Sequence, residues 1–205
     1  MTELILRPSV QEAHETMERD PHAALAIIDK ALAAQPDDVQ AHYVRGLILA
    51  FHLDRAVEAR AHLQQAYKAV VENGYFVPDA HRAFARCLAA LDERTAARAV
   101  LTGCVTVYPD DLDAWIDRAD LAKLDGDFGD AVSDIDEVLA RDPSHPVALY
   151  NRACYLALLG SIGPALDALE TALAAVPGDR AVARADDDLL PLRSDPRFAT
   201  LTHSS

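Results

Sequence analysis

Prolines recur at a fixed interval in this sequence: Pro109, Pro143 and Pro177 follow one another at steps of 34 residues. Three further registers keep the same step: Ala97, Ala131 and Ala165; Ala85, Ala119 and Ala153; and His81, Trp115 and Leu149. Several registers that share one step are hard to obtain by chance, even in an alanine-rich chain. A period of this length is typical of arrays in which one supersecondary unit repeats, so it constrains the fold strongly.

The period extends towards the N-terminus, with an insertion in the second unit. Ala24 and Ala59 are 35 residues apart, and Ala59 and Ala97 are 38 apart, so one extra residue precedes Ala59 and four follow it. The four fall in the stretch VVENGYFVP, where Asn73 and Gly74 favour a turn. We predict one domain over residues 1–205, with repeats at about 5–38, 39–77, 78–111, 112–145 and 146–179 and a tail at 180–201.

Each unit contains two apolar patterns of helical period. In the fourth unit, Trp115, Ala119 and Ala122 recur at spacings of four and three, and a second pattern begins at Ala131 beyond the stretch DGDF. Such spacings place side chains on one helix face, so each unit is predicted to be a helical hairpin and the fold class all-α. Small residues recur where the two helices must cross closely: Gly46, Ala85, Ala119 and Ala153.

The stretch DGDFGD, residues 125–130, also raises the alternative of a calcium loop, because aspartates surround two glycines there. An EF-hand loop needs ligands at positions 1, 3 and 5, glycine at position 6 and glutamate at position 12. Counted from Asp125, Gly129 comes one position early and Asp136 stands where the glutamate belongs. We therefore predict no metal site and interpret DGDF as an inter-helix turn, with Gly126 relieving backbone strain and Asp127 capping the next helix.

The period, the turn and the residue classes resemble the tetratricopeptide repeat. That family places a bulky residue, a small residue, a turn glycine, an alanine, an aromatic or apolar residue, a second alanine and a proline at fixed offsets. The fifth unit matches at Leu149, Ala153, Gly160, Ala165, Leu169, Ala172 and Pro177. The resemblance covers roughly residues 5–179. It implies a right-handed solenoid of about five tandem helical hairpins with a C-terminal capping segment.

Two units depart from the family pattern. In the third unit, Asp92 stands in place of the turn glycine. In the first, Glu12 occupies the small crossing position, although Ser9 and Glu12 form a capping box that favours a helix start. These departures leave the predicted repeat array unchanged.

The tail begins like another first helix and then breaks at Pro191 and Pro196. A stack of repeats exposes an apolar face at its end, which an atypical terminal segment usually covers. The apolar residues predicted to cover it are Leu189, Leu190, Leu192, Phe198 and Leu201. The alternative is that the tail is a short linear motif for a partner.

Charge and composition limit the classes of partner. The formal net charge is −14, so most of the surface would repel a nucleic acid. Three widely spaced cysteines indicate free thiols in a reducing compartment. The start, MTELILRPSV, lacks the basic and apolar regions of a signal peptide, and no apolar stretch is long enough for a membrane helix. We predict a cytoplasmic protein with no nucleic-acid or membrane partner.

The sequence gives little support for catalysis. Asp117 and Asp120 lie one helical turn apart, but no nucleophile or base accompanies them. His42, His52 and His62 are spaced by ten residues, which does not place them on neighbouring turns of one helix. Metal-binding HExxH pairs and phosphate-binding glycine loops are absent from the sequence. We predict a protein without catalytic residues, metal or cofactors.

Arginines precede the small crossing residue in three units, at Arg45, Arg118 and Arg152. They would bind an anion, or form an ionic ladder between repeats with acids such as Asp134 on the neighbouring second helix, and we favour the ladder. The family resemblance places a concave partner-binding groove on the first helices. Its positions in this chain are Tyr43, Leu47, Phe51, Arg82, Arg86, Asp113, Asp117, Asp120, Tyr150 and Asn151.

The predicted function is therefore that of a protein–protein interaction scaffold. An alternative is a chaperone-like or regulatory subunit that shields one client or self-associates through the groove, so the predicted state is a monomer or weak homodimer. Residues 110–142 carry 12 acidic and 3 basic residues, which either keep the surface soluble or dock a basic partner. Tyr43, Leu47 and Phe51 beside Arg82 and Arg86 favour a peptide with an apolar anchor followed by an acidic residue.

Overall fold

A computed structural model describes residues 7–73 and 79–203 of the chain. Every regular element in these two ranges is helical, which confirms the predicted all-α fold class. The α-helices are α1 (Pro8–Thr16), α2 (Pro21–Ala34), α3 (Val39–Leu47), α4 (Ala56–Asn73), α5 (Ala80–Ala90), α6 (Arg94–Val107), α7 (Leu112–Leu124), α8 (Phe128–Arg141), α9 (Pro146–Leu158), α10 (Ile162–Ala175), α11 (Arg180–Ala185) and α12 (Pro196–His203).

The first ten helices follow one another as five pairs, and the bounds of each pair lie within one predicted repeat. The second helices α2, α6, α8 and α10 all contain 14 residues, as expected for copies of one unit. The insertion in the second unit is also helical. Its first extra residue coincides with a π-helix at Ile48–His52, directly after α3. A π turn holds one more residue than an α turn, so it absorbs an insertion without leaving the helix.

The other four extra residues lengthen α4, which contains 18 residues instead of 14. Four residues add about one helical turn. Helix α4 ends at Asn73, the first residue of the predicted turn at Asn73 and Gly74. Gly74 lies outside the described residues.

The turns within the last three pairs share one hydrogen-bond pattern. Gly126 and Gly160 have φ of 82°, and the amide that follows each of them bonds a carbonyl five residues earlier. Asp92 adopts the same left-handed conformation, with φ of 60°, and the Glu93 amide bonds the Leu88 carbonyl at 2.9 Å. This is a Schellman turn, in which a left-handed residue ends the helix. The aspartate thus preserves the family turn despite its Cβ.

One predicted helix cap, at Ser9, is wrong, and the other, at Asp127, is confirmed in its position only. The first helix begins at Pro8 with Arg7 at the N-cap, so Ser9 lies inside the helix and does not cap it. Proline is pre-organised for the first helical position, which explains the earlier start.

Asp127 does occupy the N-cap of α8, but its side chain makes no capping hydrogen bond. Its ψ is 58°, whereas the capping aspartates Asp38 and Asp111 have more extended values of 103° and 86°.

Helices α3 and α4 approach each other closely at Gly46, as the small-residue pattern predicts. A Cβ on Gly46 would lie 2.5 Å from Leu63 Cγ and 3.3 Å from the Leu63 backbone nitrogen. Contacts under 3.0 Å force a neighbour to move. The equivalent positions Ala85, Ala119 and Ala153 are completely buried.

The tail contributes to the core of the last repeats. Ala183, Leu189 and Leu192 are completely buried and Phe198 nearly so, in one cluster with residues of α9 and α10. Leu189 and Leu192 lie three residues apart in a 3₁₀ segment, Asp187–Leu192, so they share one face. Leu190 lies off this face and is 51% exposed, unlike the four other predicted capping residues.

The chain divides into two compact units, residues 1–104 and 105–205, with the division inside α6. The first has a core centred on α1, α2 and α3, which includes Val10, Ile28 and Val44. The core of the second includes Ile135 and Leu169. In the described ranges, none of the helices is both long and apolar enough to cross a membrane.

Candidate functional site

The compact unit of residues 1–104 presents an aromatic ring and an arginine together. Phe51 lies in the π-helix and is 39% exposed, and Arg86 lies on α5. The Arg86 guanidinium carbon is 5.2 Å from the centre of the Phe51 ring, a cation–π contact. No carboxylate in residues 7–73 and 79–203 forms an ion pair with Arg86, so its charge has an aromatic neighbour but no acidic one.

Arg82 differs from Arg86, although both were predicted to line one surface. Arg82 donates to Asp79 at 3.2 Å, one helical turn away, so an internal carboxylate offsets its charge. Both charged groups act on the Tyr43 hydroxyl. Burial, and then the Asp79 carboxylate, raise the pKa of this hydroxyl, whereas the Arg82 guanidinium lowers it. The predicted repulsion between the two arginines is thus relieved on one side by Asp79.

Tyr43 and Leu47 are only partly available to a partner. Both are half-buried against the core formed by α1, α2 and α3, and Tyr43 also packs beside Val70 and Ala80. Burial of this kind fixes their positions but reduces the area that they can offer. Phe51 and Arg86 therefore form the exposed part of the predicted surface in residues 1–104. We call these two residues the Phe51–Arg86 surface.

The compact unit of residues 105–205 contains the other five predicted groove residues. Asp113 on α7 is exposed, and Asp117 is half-buried on the same helix. Asp120 accepts a hydrogen bond from the Tyr155 hydroxyl, so α7 and α9 are linked there. Asn151 is half-buried on α9, beside Tyr150. Burial and the Asp120 hydrogen bond raise the pKa of Tyr155, which keeps its hydroxyl protonated as a donor.

Tyr150 is engaged by the chain's own tail. Its hydroxyl donates to Asp186 Oδ2 at 2.9 Å, and Cys154 Sγ lies 3.8 Å from the same oxygen. Two residues further along, Asp188 forms an ion pair with Lys123 on α7. The sequence did not indicate Lys123 or these contacts, because the tail residues are more than 30 positions away. We call Lys123, Tyr150 and Cys154 the tail-binding cluster.

The tail-binding cluster also bears on metal binding. Within the described ranges, Cys154, Asp186 and Asp188 place one possible ligand atom each within 4.8 Å of one another. The Lys123 ammonium already pairs with Asp188 and offsets its charge. The opposing effects on Lys123 are burial, which lowers its pKa, and the contact with Asp188, which raises it above the ordinary value. This arrangement favours a carboxylate–ammonium cluster over a cation site.

Two histidines that the sequence did not bring together form a relay. His42 Nδ1 and His62 Nδ1, on α3 and α4, are 2.7 Å apart, and His42 Nε2 is 2.8 Å from the Pro36 carbonyl. Arg45 Nη1 lies 2.7 Å from His62 Nε2, and Arg45 also donates to Asp29. Their ten-residue spacing suggested separate histidines. Contact across the helix pair is what places them side by side.

The hydrogens of this relay can be assigned from its two ends. A carbonyl only accepts, so His42 Nε2 carries a proton, and an arginine only donates, so His62 Nε2 carries none. His62 must then donate through Nδ1 to the unprotonated Nδ1 of His42. In this assignment a second proton on His62, at Nε2, would place its N–H group against the Arg45 guanidinium. Burial, Arg45 and His42 accordingly lower the pKa of His62 to about 4.

The arginines before the crossing residues all form ion pairs, and the predicted ladder between repeats is confirmed for Arg45 and Arg152 but wrong for Arg118. Arg45 pairs with Asp29 and Arg152 with Asp136, each at 2.7 Å and on the second helix of the preceding pair. Arg118 instead forms a two-pronged contact with Asp134 of its own pair, at 2.9 and 2.6 Å. Residue 102, the position equivalent to Asp29 and Asp136, is a threonine, so no acid is available there.

The cysteines are buried inside helices and do not resemble nucleophiles. Cys87, Cys104 and Cys154 are free thiols with exposures of 3% or less. Burial raises the pKa of Cys87, and burial together with Asp186 raises that of Cys154. A thiol is nucleophilic mainly as the thiolate, which a raised pKa disfavours.

This fold and its Schellman turns define a protein built of helical-hairpin repeats. The chain belongs to the tetratricopeptide repeat family, because the family model matches residues 18–70 and 116–180, which together are more than half of the chain. The predicted family resemblance is thereby confirmed. A comparison with curated protein sequences finds no match.

Solved structures share the fold at low sequence identity. YrrB, described as a TPR protein with an unusual peptide-binding site, is 23% identical over 87% of this chain and 90% of its own, with a TM-score of 0.69. PilW, described as a type IV pilus biogenesis factor, is 20% identical over 94% of this chain and 96% of its own, with a TM-score of 0.72. MamA is 15% identical over 87% and 99%, also at 0.72. At these identities the likeness shows the fold.

Proposed function

We propose that this protein is a non-catalytic scaffold that binds a peptide or protein segment through the first helices of its repeats. The observation that carries the proposal is the Phe51–Arg86 surface, where an exposed ring lies beneath an arginine that lacks an acidic partner among the described residues. Aromatic and arginine side chains supply much of the binding energy at protein interfaces. Both are present here at one place.

The chemistry of this surface favours a particular kind of segment. An apolar side chain would pack on the Phe51 ring, and a carboxylate next to it would pair with Arg86. Arginine can bind a carboxylate through two parallel hydrogen bonds, which adds specificity to the charge attraction. The segment would therefore carry an apolar anchor followed by an acidic residue, in a helical or extended conformation.

Family membership and the buried thiols support a binding role over a catalytic one. YrrB, which shares the fold, is described as having a peptide-binding site. The buried free cysteines are consistent with the proposed cytoplasmic location, because they are kept as thiols in a reducing compartment.

Affinity capture with matched variants tests the proposal. The wild-type chain, Phe51→Ala, Arg86→Glu and Lys68→Glu would be used as baits in extracts of the source organism, with quantitative mass spectrometry. Lys68 is exposed on α4 and gives the same charge reversal away from the Phe51–Arg86 surface. We expect proteins that wild type and Lys68→Glu retain equally and that both surface variants lose. If Arg86→Glu captures the same proteins as wild type, the assignment of this surface fails.

Self-association through the same surface is the alternative and needs a separate measurement. Light scattering across a dilution series would report the mass of the purified chain. A dimer that Phe51→Ala converts to monomer would favour self-association. A monomer in both cases would leave the Phe51–Arg86 surface for a different partner.

A further inference from the structure

The tail reaches the first helices through acidic side chains. Asp186 uses Oδ1 to accept the Asp188 amide at 2.9 Å, which caps the 3₁₀ segment, and Oδ2 to accept the Tyr150 hydroxyl at 2.9 Å. Asp188 then pairs with Lys123. Two of three consecutive aspartates thus contact the tail-binding cluster on α7 and α9.

The middle aspartate behaves differently. The Asp187 side chain is 87% exposed and its nearest ionic contact is Arg193 at 4.0 Å, whereas the Asp188 side chain is 25% exposed. The buried leucines Leu189 and Leu192 already anchor the tail in the core. Covering the apolar end of the repeats therefore does not require the acidic contacts. They point to recognition of carboxylates by Lys123 and Tyr150.

We propose that the tail-binding cluster is a carboxylate-binding subsite that the chain keeps filled with its own Asp186 and Asp188. An acidic segment of a partner enters this subsite only by displacing these side chains, so the tail is autoinhibitory at this position. The inference rests on the proposed scaffold function and concerns a different surface from Phe51 and Arg86. It assigns Tyr150, one of the predicted groove residues, to an internal ligand.

The subsite selects for acidic peptides by two means. Lys123 supplies a positive charge, and the Tyr150 hydroxyl supplies a neutral donor, because burial and the Asp186 hydrogen bond raise its pKa. A charge-assisted hydrogen bond to a carboxylate is stronger than a neutral one. The tail sequence, acids followed by leucines, is the example of such a ligand that the chain itself contains.

The test uses the full chain and a synthetic peptide of residues 185–192, ADDDLLPL. The ¹⁵N-labelled chain would be titrated with this peptide, and the amide signals of Lys123 and Tyr150 would be followed by NMR. In wild type the internal aspartates compete, which reduces the apparent affinity by the fraction of open subsite. We expect Asp188→Asn to lower the apparent Kd by about tenfold or more.

Asp187→Asn is the matched control, because it makes the same charge change at the adjacent exposed residue and should titrate like wild type. Adding Lys123→Gln to Asp188→Asn should abolish the shifts. The proposal is overturned if the folded Asp188→Asn chain binds the peptide no better than wild type.

Hydrogen exchange provides a second readout that does not depend on the peptide. Lys123→Gln should accelerate exchange of the Asp186–Asp188 amides while the helices α9 and α10 stay protected. Unchanged exchange in the tail would also overturn the proposal. Neither experiment involves Phe51 or Arg86, so failure here leaves the scaffold function standing, and failure of the capture experiment leaves these results interpretable.

Discussion

Arg86 and Phe51 meet as a guanidinium over a ring, 5.2 Å from carbon to centroid, and Arg118 and Trp115 meet in the same way at 4.8 Å. The difference is that Arg118 also holds the buried Asp134. An exposed cation–π contact contributes about 0.5–1 kcal/mol, whereas removing one partner of a buried ion pair costs about 3–5 kcal/mol.

We therefore expect Arg86→Ala to lower the free energy of unfolding by less than about 1 kcal/mol and Arg118→Ala by about 3 kcal/mol. Urea unfolding followed by circular dichroism measures both. If Arg86→Ala proves as damaging as Arg118→Ala, Arg86 has a structural role and its assignment to partner binding is wrong.

Gly46 and Gly103 provide a second matched pair. Alanine has a higher helix propensity than glycine by about 1 kcal/mol, so the substitution is favourable where there is space. Nothing lies within 4 Å of a Cβ at Gly103 in α6, while a Cβ at Gly46 would overlap Leu63. We expect Gly103→Ala to raise the melting temperature and Gly46→Ala to lower it, as seen by calorimetry. Equal shifts of one sign would contradict the close crossing of α3 and α4.

Asp92 holds a left-handed conformation that its equivalents Gly126 and Gly160 adopt at no steric cost. Replacing Asp92 with glycine should raise the free energy of unfolding by about 0.5–1 kcal/mol, after the greater flexibility of glycine in the unfolded chain is included. Its ion pair with Arg94 is exposed and adds little. Gly126→Ala should destabilise in the same assay. A loss of stability in Asp92→Gly would show that the side chain stabilises this turn.

Leu189 and Leu190 test the role of the tail. Leu189 is completely buried and Leu190 is 51% exposed, although they are neighbours in one short segment. Truncating a buried leucine costs about 2–5 kcal/mol, so Leu189→Ala should be strongly destabilising and Leu190→Ala close to neutral. Chemical unfolding of both variants decides the matter. Comparable small effects would mean that the tail is a detachable motif.

The histidine relay predicts a dependence of stability on pH. The pKa of His62 falls from 6.5 to about 4 on folding, so the unfolded chain binds this proton more readily. The contribution of His62 to the free energy of unfolding is therefore fully present above pH 6.5 and is lost as the pH falls towards 4. Because the ring is partly exposed, solvent reduces the contribution to about 1–2 kcal/mol.

His62→Gln should lose less stability than wild type between these pH values in urea titrations. His22→Gln changes an exposed histidine on α2 and should follow wild type. Parallel profiles for His62→Gln and wild type would refute the neutral relay.

The sequence period predicted much of this architecture because it records the contacts between helices. The registers of Ala119 and Ala153 mark completely buried crossings, and the shift before Ala59 counts the inserted residue correctly. Counting could not show that a π-helix absorbs this residue, because a loop would give the same arithmetic. The turn preference of Asn73 marked the end of α4, but local patterns did not show the further helical turn that precedes it.

The candidate site was less predictable because its contacts join distant residues. Phe51 and Arg86 were expected on one surface, but the ring stacking and the pairing of Arg82 with Asp79 depend on the positions of whole helices. Lys123 and Asp188 are 65 positions apart. His42 stands in the bulky register of Trp115, and both rings donate to the carbonyl of a proline six residues earlier. That shared role was the one available signal for the relay.

The π-helix at Ile48–His52 links the length of the second repeat to the direction in which Phe51 points. Each residue of an α-helix rotates the next side chain by about 100°, so an insertion inside a helix resets the angular phase of every later side chain in that helix. A consensus repeat engineered from this chain would delete the extra residue to restore equal spacing. That deletion would turn Phe51 away from α5, so regularising the array would erase the irregularity that pairs this ring with Arg86.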